Sequence, residues 1–228
     1  MAEPSGCIYD EERGYAIHTW SGKAFFPKDI RPEDVCIEDI AHALAFTCRY
    51  GGQCDKYYSV AQHSVYCYQE AMKRGIADIA IIREALLHDA VEAYLGADFP
   101  RPYKLMVPEL AAFESMIEEQ LNPILNIPVK KSHIVKNIDE TMLATEMPLL
   151  FQNNNTYSWV DRRSKFVYNG DSKIVEGLPE RLDWDYINSW SPEKAEELFL
   201  QAYYTIKNLE AVERGDIDAA KEYEKMIG

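Results

Sequence analysis

What this chain lacks narrows it first. Its five cysteines, Cys7, Cys36, Cys48, Cys54 and Cys67, contain no CxxC pair, so neither a zinc knuckle nor a thiol redox motif is indicated. Reduced thiols are the expectation. Basic residues are scarce: 24 Lys and Arg against 38 Asp and Glu give a formal charge of −14, without the positive footprint that a nucleic-acid backbone requires. No apolar run approaches membrane-spanning length, and Met1 to Arg13 is polar and acidic, without the apolar centre of a signal peptide. Gly51-Gly52 lacks the lysine and the spacing of a phosphate-binding loop, and no GxSxG or cysteine-nucleophile context occurs. These absences predict a soluble, cytoplasmic protein that engages neither nucleic acid nor membrane.

What is present suits one domain with a real core, since 47% of the 228 residues are hydrophobic. Tyr15 to Phe26 alternates around the turn dipeptide Ser21-Gly22 and predicts a short β-hairpin. Apolar residues at Ile37, Ile40, Ala41, Leu44 and Ala45 predict a helix running to Cys48, stopped by Gly51-Gly52. Ser59 with Gln62 three residues later reads as a capping box opening the next helix. Asp78 and Gly96 bracket a helix over Ile79 to Leu95. Pro100 and Pro102 predict an extended loop carrying Arg101 and Lys104, and Pro108 opens a helix to about Leu121. Ser132 caps a further helix whose Val135, Ile138, Met142 and Leu149 form an apolar stripe. Residues 152–190, rich in asparagine and aromatics, read as an irregular insertion with a short hairpin, packed on the domain or on a second subunit. Ser191-Pro192-Glu193 starts a helix to about Leu209, and Asp216 to Met226 forms a last short one.

Three of those helices carry metal-type side chains: His63, the adjacent pair His88-Asp89, and Asp139. A single helical histidine is more often a packed or surface residue than a ligand. Here Leu86-Leu87-His88-Asp89-Ala90 sets two polar groups inside an apolar run, and burying both is costly without a partner. A metal ion is the natural one. Imidazole nitrogen with carboxylate oxygen suits a divalent transition metal better than calcium. Glu92 stands four residues past His88, on the same face of a continuous helix.

At these residues the chain resembles the HD-domain metal-dependent phosphohydrolases, whose ligands run in the order His…His-Asp…Asp. The stretches Ile37-Glu38-Asp39-Ile40-Ala41-His42-Ala43-Leu44, Tyr58-Ser59-Val60-Ala61-Gln62-His63-Ser64-Val65 and Leu86-Leu87-His88-Asp89-Ala90-Val91-Glu92-Ala93 carry the likeness, with Asp98-Phe99-Pro100-Arg101-Pro102-Tyr103-Lys104 beside them. It covers about residues 17–150 and is greatest to the HD-family 5′-deoxynucleotidases and the phage deoxynucleoside triphosphate triphosphohydrolases. The resemblance implies a mostly α-helical HD-domain bundle with a small N-terminal hairpin, the 152–190 insertion and C-terminal helices over about 191–227.

It also implies roles. His63, His88, Asp89 and Asp139 would hold one divalent ion, whether cobalt, manganese, zinc, nickel, iron or magnesium. Glu92 stands where the family carries its catalytic carboxylate, and Asp98 matches a carboxylate near the sugar and the catalytic water. Arg49 and Lys104 would contact phosphate. His42, seven residues before Arg49 and two turns away if the helix continues, either lines the pocket or packs in the core. Substrates would be deoxynucleoside monophosphates or triphosphates, with a homodimer or higher oligomer as the assembly. Extra basic residues such as Arg101 and Arg162-Arg163 would favour a triphosphate. Two rivals are kept: a cyclic-nucleotide phosphodiesterase, disfavoured because His133 is the only histidine between His88-Asp89 and Asp139, and a non-catalytic nucleotide-binding module.

Overall fold

Asp10 starts the fold by folding back on its own backbone: its Oδ1 accepts from the amides of Glu12 and Arg13, each at 2.9 Å. That turn joins β1 (Ile8–Asp10) to β2 (Gly14–His18), and Gly14 supplies the positive φ of 85° that the turn needs. β3 (Ala24–Phe25) pairs on the other side of β2, with Ile17 opposite Phe25, so the sheet order is β1-β2-β3, antiparallel throughout. The predicted hairpin is therefore the β2–β3 half of the sheet. The first strand has no signal in the sequence, because its three residues are all exposed and carry no alternation. The computed structural model describes residues 7–151 and 179–227.

The rest of the described chain is mainly helical: α1 (Ile37–Phe46), α2 (Val60–Lys73), α3 (Ile79–Leu87), α4 (Glu92–Leu95), α5 (Arg101–Met106), α6 (Pro108–Ile124), α7 (His133–Leu150), α8 (Pro192–Glu213) and α9 (Ile217–Ile227). Helices α1, α2, α3 and α8 pack around one core of Phe25, Ile40, Leu44, Leu86, Phe199 and Ile206, with Ala41, Ala61 and Ala195 letting the helix backbones approach. A second cluster joins α2, α3 and α7 through Cys67, Ala71, Ala85, Val135, Ile138 and Met142. These two cores fix the faces of α2, α3 and α7 that carry the candidate ligands. No helix among the described residues is long and apolar enough to cross a membrane.

Three predicted boundaries move. α1 ends at Phe46, and Thr47 caps it in extended conformation; Arg49 belongs to a separate 3-10 turn, Arg49–Gly52, in which Tyr50 and Gly51 are left-handed. The two-turn register between His42 and Arg49 therefore does not exist. The predicted single helix over Ile79 to Leu95 breaks at His88–Val91, where Ala90, Glu92, Ala93 and Tyr94 donate to carbonyls three residues back. Tightening to three residues per turn swings position i+4 away from i, so Glu92 no longer shares His88's face by helix geometry. Residues Arg101–Met106 form α5 rather than a loop, with Pro102 tolerated in its first turn, where its missing N–H leaves no bond unmade.

Other signals hold. Ser59, Asp78, Ser132 and Ser191 each cap the helix expected of them. At Ser59 only half of the capping box forms: its Oγ accepts from Gln62 N, while the Gln62 side chain turns to Tyr66, Asn188 and Trp190. Because Ser59 is fully buried at the turn that presents His63, Ser59→Ala is expected to cost about 1 kcal/mol, lowering Tm by about 2–4 °C in a thermal melt. The insertion's hairpin, Tyr157, Trp159, Phe166, Tyr168 and Arg162-Arg163 lie outside the described residues. Its end is described: Leu182 N donates to Thr145 Oγ1, and Trp184 packs edge-on against Tyr66.

Candidate metal centre

Helix α2 brings up His63, the turn after α3 brings His88 and Asp89, and α7 brings Asp139. His63 Nε2 lies 3.2 Å from Asp139 Oδ1 and 3.8 Å from Asp89 Oδ2. His88 Nε2 lies 3.2 Å from Asp89 Oδ2 and 3.8 Å from Asp139 Oδ1. Four side chains named from sequence thus present their donor atoms to one spot.

Both imidazoles are aimed by what their other nitrogen touches. His63 Nδ1 sits 2.6 Å from Glu146 Oε1, and His88 Nδ1 sits 2.9 Å from Ala85 O. A carboxylate and a carbonyl accept hydrogen, so each Nδ1 carries it and each Nε2 faces the cluster with a lone pair. His88 Nε2 is buried and makes no hydrogen bond, although Asp89 Oδ2 is 3.2 Å away. Lone pairs on nitrogen and carboxylate turned toward one another call for a cation between them. Burial pushes the His88 pKa down, but the Asp89 charge and the close Asp139 and Asp89 carboxylate oxygens together outweigh it and raise the pKa to about 9. Asp139 is held well below the carboxylate range; burial opposes this, and Lys131, His63 and His88 overcome it.

Three residues that sequence reasoning missed complete the surroundings. Lys131 Nζ is 2.7 Å from Asp139 Oδ2 and 3.7 Å from Asp89 Oδ1, a counter-charge on the outer side of both aspartates. Glu146 is fully buried and joins His63 to Tyr58 OH (2.7 Å), Tyr50 OH (3.0 Å) and Arg49 Nε (3.4 Å). Glu146 had a readable signal, for it stands seven residues past Asp139 on one face of α7. Cys67, one turn past His63 on α2, puts Sγ 3.4 Å from His63 Nε2. The ligand atoms of His63, Cys67 and His88 lie within 4.8 Å of one another, a group that could hold a metal ion.

The remaining predicted residues divide. Arg49 is buried beside the cluster, its Nη1 3.4 Å from Asp89 Oδ2, and its Nε makes no hydrogen bond. Glu92 is buried with Oε2 unpartnered; burial first, then the charges of Asp89 and Asp98, raise its pKa well above the usual carboxylate range, against Arg49 and Lys104. Asp98 Oδ2 accepts from Tyr50 N at 3.0 Å, so it fastens the left-handed turn that follows Arg49. Lys104 is bound to Glu114 at 2.6 Å. His42 is not brought into the cluster by any hydrogen bond or ring contact of its own: it pairs with Glu196 of α8 at 3.0 Å and lies between the rings of Trp20 and Phe46.

Known proteins add kinship. No family model matches the chain. Over 193 residues, 85% of this chain and 96% of the relative, it is 39% identical to the uncharacterized protein YfdR of Escherichia coli. The chain belongs to the YfdR family. The uncharacterized protein RCAP_rcc00048 of Rhodobacter capsulatus is 44% identical over 92 residues, 38% of this chain and 45% of that protein. Neither name specifies a reaction.

Proposed function

We propose that the protein is an HD-domain metal-dependent phosphohydrolase acting on nucleotides, with deoxynucleoside 5′-phosphates as the substrate class. The observation that carries this reading is the convergence of His63, His88, Asp89 and Asp139 from three separate segments, with donor separations of 3.2–3.8 Å. The unpartnered, buried Nε2 of His88 fits a cation at that spot. When bound, a divalent ion supplies Lewis acidity toward a phosphoryl oxygen and toward water.

The chain's own groups take the other tasks. Arg49, whose Nη1 and Nε lie 3.4 Å from Asp89 and Glu146, has further guanidinium donors to offer a phosphate. Lys104 adds a charge to the same surroundings, within reach of Glu92 and Asp89 electrostatically. Glu92 and Asp89 are neighbours whose ionisation is pushed in opposite directions, Glu92 up and Asp89 down. Such a split is how one site keeps an acid and a carboxylate together. Asp89 stays ionised to hold the cation, and Glu92 keeps its proton for the departing 5′-oxygen. As water forms the new P–O bond and the bond to that oxygen breaks, the Glu92 proton passes to it and the nucleoside leaves. The same site can release orthophosphate from a monophosphate or triphosphate from a triphosphate.

A test is chromatographic separation of nucleoside, orthophosphate and triphosphate after incubation with deoxynucleotides and a divalent metal. Glu92→Gln is expected to keep metal and fold but to lower turnover by about 10²–10⁴-fold. In the parent, kcat/KM should fall as pH rises through the raised Glu92 pKa, and that limb should vanish in the variant. Equal rates for the two proteins would remove Glu92 from the chemistry. A second reading rests on Lys131, whose ammonium already balances Asp139 and Asp89: an idle site that binds nucleotide without turning it over. Under it, nucleotide binds the parent and is recovered intact.

A further inference from the structure

We propose that Cys67 is a further ligand of this centre, a thiolate that with His63 and His88 selects a thiophilic divalent ion such as cobalt, nickel or zinc over magnesium; this rests on the metal-centre reading above. The HD pattern contributes only His and Asp, and nothing in the ordered motifs calls for a sulfur at this place. Position does. Residue 67 follows His63 by four on α2, which stacks the two side chains on one face. Cys67 is fully buried, and its Sγ stands 3.4 Å from His63 Nε2.

That separation has a meaning. Metal–sulfur and metal–nitrogen bonds of about 2.3 and 2.0–2.1 Å place sulfur and nitrogen about 3.1–3.6 Å apart at the interligand angles of about 90–110° that a five-ligand site spans. The 3.4 Å Cys67–His63 distance falls in that range, as the 3.2 Å His63–Asp139 and His88–Asp89 distances fall in the corresponding nitrogen–oxygen range of about 2.9–3.4 Å. Independently, His88 Nε2 is buried without a hydrogen bond and belongs to the same group of converging atoms as Cys67 Sγ.

The alternative is a core thiol. Cys67 packs among Ala71, Ala85, Val135, Ile138 and Met142, and its S–H can donate to His63 Nε2. But Nε2 has one lone pair, and a metal takes it. Loading then either strips a buried thiol of its acceptor or breaks the S–H bond, with the metal–sulfur bond formed and one proton released to solvent. Thiolate ligation favours soft and borderline ions over magnesium, which takes oxygen.

Cobalt(II) titration of the chelator-stripped full-length chain, followed by absorption, decides this. The parent should show visible d–d bands together with a near-ultraviolet sulfur-to-cobalt charge-transfer band, both saturating at one equivalent. Cys67→Ser should keep the d–d bands, lose the charge-transfer band and bind cobalt at least about tenfold more weakly, with the cobalt-over-magnesium preference reduced. A chain with Cys7, Cys36, Cys48 and Cys54 replaced by serine should retain the charge-transfer band, which assigns it even if Cys67→Ser does not fold. Saturable d–d bands without charge transfer in the parent, or with it unchanged in Cys67→Ser, would overturn the Cys67 ligand and leave the metal centre standing. No saturable cobalt spectrum in the parent would overturn both.

Discussion

His88→Ala is expected to abolish divalent-metal binding and, under the proposed activity, to lower nucleotide phosphate release by about 10³-fold or more, roughly 4 kcal/mol of transition-state stabilisation. The effect is expected to be large because the fold makes no other use of His88 Nε2. Its ring is packed with Nδ1 tied to Ala85 O, and its Nε2 has no hydrogen-bonding role in the fold. Removing the ring leaves Asp89 and Asp139 facing Lys131 with one positive group fewer among them. Stability should therefore change less than activity, since part of the loss is relief from a buried imidazole. Metal analysis of the purified variant, beside product release, checks both. Full metal content with full activity would remove His88 from the centre.

Glu146→Ala is expected to destabilise the protein by about 3–5 kcal/mol, a fall in Tm on the order of 10 °C. Glu146 has no exposed surface, and it answers His63, Arg49, Tyr50 and Tyr58 at once. Its loss strands a buried guanidinium and releases the ring of His63, so metal affinity should drop by about 10–100-fold in whatever protein remains folded. Glu146→Gln keeps the shape but not the charge and should fall between. The pH dependence carries a sign. Burial raises the Glu146 pKa, but His63 and Arg49 dominate and hold it at about 2, below the ordinary 4.5. A depressed carboxyl stabilises the fold at pH above about 4.5, and that contribution is lost as pH falls toward about 2. Metal-free Glu146→Gln should show a weaker acid-side loss of stability than the parent when melts are compared across that range.

How far the sequence reaches is visible in particular residues. His63, His88, Asp89 and Asp139 could be named because polar ligands inside apolar helical runs are conspicuous, and the ordered motifs joined them. The caps at Ser59, Asp78, Ser132 and Ser191 were legible for the same local reason: one side chain and the amides just after it. Lys131 was not, since a lysine in Lys130-Lys131 reads as solvated until tertiary packing sets its ammonium against Asp139, and Glu146 could be reached only through its seven-residue spacing from Asp139. The break at His88–Val91 was hidden because its residues keep a helical apolar pattern while hydrogen bonding tightens to three residues per turn. His42 illustrates the converse error. Seven-residue spacing suggested a shared face with Arg49, but the chain leaves the helix at Phe46 and His42 turns to Glu196 instead.

Asp98 teaches a related point about roles. Its likeness to a family carboxylate suggested a place near sugar and water, whereas its observed partner is the amide of Tyr50, whose φ is 59°. A non-glycine residue in that region costs energy that its surroundings must offset. Asp98 therefore positions the Arg49 turn.

The most direct test of the metal-dependent nucleotidase reading is nucleoside release from deoxynucleoside 5′-phosphates by chelator-stripped protein, before and after return of one equivalent of cobalt, manganese or zinc. The account predicts no release from the stripped protein and restoration by metal in the parent but not in His88→Ala. Release that ignores both metal and His88, or nucleotide recovered intact under every condition, would contradict it.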